Sequence, residues 1–151
     1  MRRLSWVFGL LVIATSLWLL MIASRPSIKF ARVVFQDGTL VTAELAANTF
    51  QRQKGLSGHD PLREGEGMLF LHEQKEIPTY WMKDMRFPID LIWIDENQVV
   101  GMHMGLEPEN SPKTLYRPDR PINRVIELPS GFISTHQVTV GDRLDITFLS
   151  R

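Results

Sequence analysis

Within TYWMKDMRFPIDLIWID, residues 79–95, the amine of Lys83 and the carboxylates of Asp84 and Asp90 stand close together among aromatic and aliphatic residues. Such a cluster can bind a charged ligand or move a proton, because burial and a nearby charge shift the pKa of each group. If residues 79–84 and 89–95 form a hairpin across the MRFP corner, a symmetric register sets Lys83 opposite Asp90 and Trp81 opposite Ile92. Alternation puts Asp90 on the side of Ile92 and Ile94, where an ionised carboxylate is costly unless paired. Lys83 is the expected partner. Two roles are open to the cluster: a structural ion pair that fixes register, or a pocket in which Trp81, Lys83 and Asp90 receive a ligand.

Glu127, between Val125 and Leu128, could join Asp90 as a carboxylate pair for acid and base work on a sugar or an envelope polymer. It could equally be held in a salt bridge by Arg52 or Lys83. The run Met102-His103-Met104 resembles thioether and imidazole ligands for copper(I), but in a strand His103 points away from both methionines. HEQKE, residues 72–76, has Glu76 where a zinc-protease helix needs its second histidine, and Pro78 follows closely. His59 and His136 are isolated and read as surface or turn residues. There is no serine elbow, phosphate-cradling glycine loop or dinucleotide fingerprint, and no cofactor or metal is expected.

The elements that must position these groups read as short strands broken by turn signals at even intervals. Asp37-Gly38 lies between two strand-like runs, which predicts a type I′ hairpin with Phe35 opposite Leu40. NTFQRQKGL offers Asn48 or Thr49 as N-cap and Gly55 as stop for a short helix. GMLFL, residues 67–71, is apolar without alternation and reads as a central strand. QVVGMHM, NRVIELP and RLDITFL supply further strands, PSGFISTHQ a turn with a brief helix, and residues 105–121 a long surface loop. Seven or more strands with little helix predict a mainly β domain, a sandwich or jelly-roll-like barrel, over residues 26–151. An α+β roll is the alternative.

Residues 1–25 start with Arg2 and Arg3 and then run from Leu4 to Ala23 without a charge. Twenty residues at ~1.5 Å each cover a hydrocarbon layer of ~30 Å, longer than the centre of most cleaved signals. This predicts an uncleaved N-terminal signal anchor with the domain outside the cytoplasm. After residue 25 the chain has 14 Lys and Arg against 17 Asp and Glu, and its overall net charge is zero, which argues against nucleic-acid binding. Cysteine is absent, so disulfides and thiol chemistry are excluded.

Several ordered motifs resemble domain of unknown function family 192. They are Gly55-Leu56, Gly67-Met68-Leu69-Phe70, Trp81-Met82-Lys83 with Pro88-Ile89-Asp90, Glu127-Leu128-Pro129 with Gly131, and Gly141-Asp142, with Arg52 also matching. The resemblance spans about residues 33–148. Ser57, Asp84 and Ser130 depart from it, standing where the family usually has methionine, asparagine and alanine. It implies a compact, mainly β fold, often behind an export signal, and brings no established reaction. The expectation is therefore a membrane-anchored, extracytoplasmic and non-enzymatic binding module. Its ligand residues would come from Trp81, Lys83, Asp90, Glu127 and Arg52, and its partner would be a small ligand or an envelope protein. A hydrolase using Asp90 and Glu127 with Lys83, or a copper binder, are the alternatives.

Overall fold

The computed structural model describes residues 30–110 and 114–149. The expected anchor lies outside them, and among the described residues no helix is long and apolar enough to cross a membrane. In chain order the elements are β1 (Phe30–Val34), β2 (Leu40–Ala46), α1 (Thr49–Lys54), β3 (Glu66–Glu76), β4 (Ile89–Asp95), β5 (Gln98–Leu106), β6 (Ile122–Pro129), α2 (Phe132–Thr135) and β7 (Asp145–Leu149). All seven strands form one sheet, ordered β5-β4-β6-β3-β2-β1-β7. Every pair is antiparallel except β2 with β3, whose connection runs through α1. The fold is thus mainly β as expected, but it is neither a two-sheet sandwich nor a closed barrel. Near its edges Gln98 of β5 bridges Arg143, just before β7, and Val99 N–H donates to the Asp142 carbonyl at 2.9 Å.

The sheet is covered on both faces. One core gathers Val33, Val41, Ala43, Leu69, Ile92, Ile94, Ile126 and Leu128 beneath Phe132 and Ile133 of α2. The other gathers Met68, Phe70, Ile89, Leu91, Trp93 and Val125 beneath Leu56, Met82 and Phe87. This explains why GMLFL and LIWI lack alternation: β3, β4 and β6 are central, so successive residues enter different cores. At Gly67 the packing is tightest, since a Cβ there would meet the Glu127 carbonyl oxygen at 2.9 Å and side chains of Leu128 and Val41 just beyond. Any larger residue would push β3 away from its neighbours.

The first hairpin differs by one residue from expectation. Val34, not Phe35, pairs with Leu40, which buries Val41 and leaves Leu40 outside. A single-residue shift exchanges the faces of a strand. Gly38 alone of the turn pair has positive φ, and Asp37 instead turns its carboxylate onto the Thr39 N–H (2.8 Å) and hydroxyl (2.7 Å). Side-chain chemistry in the turn has replaced the type I′ geometry. The short helix is capped as expected: Asn48 accepts from Gln51 N–H, Gln51 returns a bond to Asn48 N–H, and Gly55 closes the end.

The larger correction concerns residues 79–84. They do not form a hairpin with β4, whose neighbours are β5 and β6. They make isolated bridges to the loop after β5 instead, Tyr80 with Tyr116 and Lys83 with Glu109. The expected surface loop therefore supplies the backbone partners of this segment. Asp84 ends it in the left-handed region, at φ 58°, a conformation that asparagine and aspartate adopt more readily than most residues.

Candidate functional site

The expected Lys83–Asp90 pair is not formed. The Lys83 side chain is half exposed, and its ammonium lies 3.9 Å from Asp84. Asp90 is fully buried and meets two backbone donors instead, Gly105 N–H at 2.8 Å and Ile133 N–H at 2.9 Å. The first sits where β5 bulges past β4, and the second is in the opening turn of α2. Gly131 at the N-cap has no side chain to offer, so Asp90 caps this helix from across the core. Its role in the structure is to join three elements.

Nor do Asp90 and Glu127 form a carboxylate pair. Asp90 follows the face of Ile92 and Ile94, whereas Glu127 follows that of Val125 and lies between Met68 and Leu91 in the register. The two acids leave opposite faces of the sheet. Among the described residues Glu127 also has no ion pair, so the expected bridge to Arg52 or Lys83 is absent. In the methionine run, Met102 packs against the first core while His103 lies edge-on to Trp93 and Tyr116 on the other face. Among the described residues no group of three His, Asp or Glu could hold a metal ion.

A cleft does assemble three of the five expected residues. Arg52, Trp81 and Glu127 line it together with Phe70, His72 and Tyr80, in a space of about 150 Å³. One wall is α1 with the turn after it. That turn is tied to the opposite wall by the Ser57 hydroxyl donating to the Lys83 carbonyl and by Gly58 N–H donating to that of Asp84. The other wall is the Pro78–Trp81 segment, held by the reciprocal Tyr80–Tyr116 backbone bonds, both 2.9 Å. The floor is the sheet itself, where β3 and β6 bring Phe70, His72 and Glu127 to one face.

Aromatic contacts brace the floor. Tyr80 stands edge-on between Phe70 and Trp93, with ring centroids 5.1 and 5.4 Å away. His72 Nε2 lies 3.2 Å from the Tyr80 hydroxyl, and its Nδ1 is 2.6 Å from Glu76. Burial lowers the pKa of His72, an effect the Glu76 contact partly offsets. Burial, then the Glu127 charge, raises the Tyr80 hydroxyl far above its ordinary value. Trp81, 42% exposed, forms part of the lip. Arg52 is anchored by Nη1, which donates to the carbonyls of Ala47 and Leu71, both at 2.9 Å.

Glu127 is the anomaly. It is only 6% exposed, its Oε2 is buried without a hydrogen-bond partner, and burial alone pushes its pKa up to about 8. The sequence singled out Glu127 and placed Arg52 near it, but it also predicted a pairing with Asp90 and a salt bridge that are not formed, and it did not bring His72, Tyr80 and Phe70 into the same site. The signal was present in β3: Met68, Phe70 and His72 alternate onto one face. Using it required knowing that β3 lies beside β6.

A family model described as Uncharacterized ACR, DUF192, matches residues 32–146. Among solved structures, a Sinorhizobium meliloti protein named as a candidate transcription regulator superposes with a TM-score of 0.70 at 27% identity, covering 79% of this chain and 93% of that one. A Novosphingobium aromaticivorans protein of unknown function gives 0.69 at 24% identity, covering 77% and 83%; it is similar in fold. No curated protein matches the chain.

Proposed function

We propose that this chain, which belongs to the DUF192 family, is a binding module held at the outer face of a membrane by residues 1–25. Its ligand site is the cleft between α1 and the Pro78–Trp81 segment. The observation that carries the reading is Glu127, a buried carboxyl with no partner lining an open cleft. A structural glutamate would be paired or capped, since an unsatisfied buried polar group costs roughly 1–3 kcal/mol. Trp81 at the lip offers a large apolar face with a polar N–H, a common composition for a contact residue. The name borne by the Sinorhizobium relative suggests nucleic acid, but a net charge of zero and an aromatic cleft favour a small ligand here.

A thermal-shift screen of the full chain in detergent micelles, with amino acids, sugars and copper, tests the binding reading. A compound at a hundredfold excess over its Kd should stabilise the protein by about 2.7 kcal/mol. Trp81→Ala should abolish that shift. A screen with no shift, or one whose shifts survive Trp81→Ala, overturns the cleft as the site. Location has its own test. A reporter fused after Arg151 should work only outside the cytoplasm, and activity confined to the cytoplasm would reject the export reading.

A further inference from the structure

We propose, resting on the binding reading above, that the cleft takes a small amino-acid-like zwitterion, with its ammonium on Glu127 and its carboxylate toward Arg52. The ionisable groups that line the cleft are both acidic and basic, and they do not pair with one another. Inside is Glu127, with Oε2 unpartnered and Met68 and Leu91 as apolar neighbours in the register. The half-buried Arg52 and the exposed Lys54 line the same cleft from α1, and among the described residues neither forms an ion pair. The carbonyls of Ala47 and Leu71 fix the direction of the Arg52 guanidinium without cancelling its charge. Its Nη2 has only a long contact, 3.4 Å, to the Thr49 hydroxyl.

This polarity selects among guests. A simple amine would be drawn to Glu127 but repelled by Arg52 and Lys54, whereas a simple carboxylate would be held by Arg52 and Lys54 alone and would leave the Glu127 carboxyl without a cationic partner. A molecule carrying both charges complements both ends. The Phe70 and Tyr80 rings line the same cleft and offer apolar contact to the carbon chain between the two charges. Size restricts the guest further. A space of about 150 Å³ matches cavities that hold one benzene-sized molecule, so a short amino acid fits within it.

Binding should be linked to proton release. In the empty cleft Glu127 keeps its proton until about pH 8. An ammonium beside it favours the ionised form, so at pH 7 close to one proton leaves per guest bound. The other titratable or charged groups around the cleft are Tyr80 and His72, with Glu76 behind His72, and Arg52 and Lys54 on α1.

Calorimetry on the full chain in detergent micelles tests this with glycine, β-alanine and γ-aminobutyrate, which step the distance between the charges. Butylamine, butyrate and glucose serve as comparisons. At least one zwitterion should bind tenfold or more tightly than butylamine and butyrate. Repeating the titration in buffers of different ionisation heat should show close to one proton released. Glu127→Gln should weaken that zwitterion at least tenfold and abolish the release, while Lys83→Ala, outside the cleft, leaves both unchanged. Equal binding of butylamine or butyrate overturns the inference, as does undiminished binding by Glu127→Gln. If glucose binds in a Trp81-dependent way and no zwitterion does, the inference falls and the binding module stands. If no compound binds, both fall.

Discussion

Asp90→Ala should lower the stability of the domain by roughly 3 kcal/mol, since it strands the buried Ile133 N–H at roughly 1–3 kcal/mol, removes the acceptor of the partly buried Gly105 N–H and opens a void as well. The loss is concentrated because one carboxyl serves three elements. Oδ1 holds Gly105 at the β5 bulge, and Oδ2 holds Ile133 in the first turn of α2. That helix is four residues long and has no cap of its own, yet Phe132 and Ile133 cover the first core. Asp90→Asn retains one acceptor but turns an amide donor toward the other N–H, so about half the loss is expected. Urea denaturation of the three proteins measures the series. An Asp90→Ala variant within about 1 kcal/mol of the parent would mean that the two N–H groups find other acceptors. The same experiment separates this role from ion pairing, because Lys83→Ala should change stability little: its ammonium is exposed and approaches only Asp84.

The sequence disclosed what depends on local rules and concealed what depends on strand order. Asn48 and Gly55 bound the first helix as read, since capping is decided within a turn. GMLFL was legible as a central strand because it lacks polar positions on either side, and β3 indeed lies between β2 and β6. Burial of Asp90 on the side of Ile92 was also legible, from alternation alone. Its partner was not. The hairpin that would have supplied Lys83 assumed that strand-like segments adjacent in sequence pair with each other. Proline and arginine at the MRFP corner permit such a turn, but they do not require it. Residues 79–84 pair instead with the segment near Tyr116, about thirty residues onward, and nothing periodic in that loop announces it. The cleft was half legible for the same reason. Arg52, Trp81 and Glu127 were singled out by type and by resemblance, but their meeting place depends on β6 lying between β3 and β4.

Glu127→Gln should remove much of the pH dependence of stability between pH 5 and 8. In the unfolded chain this carboxyl titrates near its ordinary 4.5, whereas in the folded domain burial raises it to about 8. Below 4.5 both states hold the proton, and the electrostatic cost of burial is absent. Between the two values the folded state binds more protons than the unfolded one, so stability falls as the pH rises. Above 8 both are ionised and the loss is complete. For this one group the fall from pH 5 to pH 8 is roughly 3 kcal/mol. A glutamine does not titrate there, so the stability difference between parent and variant should grow by that amount across the interval, in favour of the variant. Urea curves at the two pH values measure it, and subtracting the variant cancels every other titrating group. A difference that stays constant with pH would show that Glu127 is solvated or paired in the folded state, removing the basis for the cleft as a charged site. If it grows as expected, the empty protein is weakest where Glu127 ionises, and a cationic guest on that carboxyl should restore stability most strongly above pH 8.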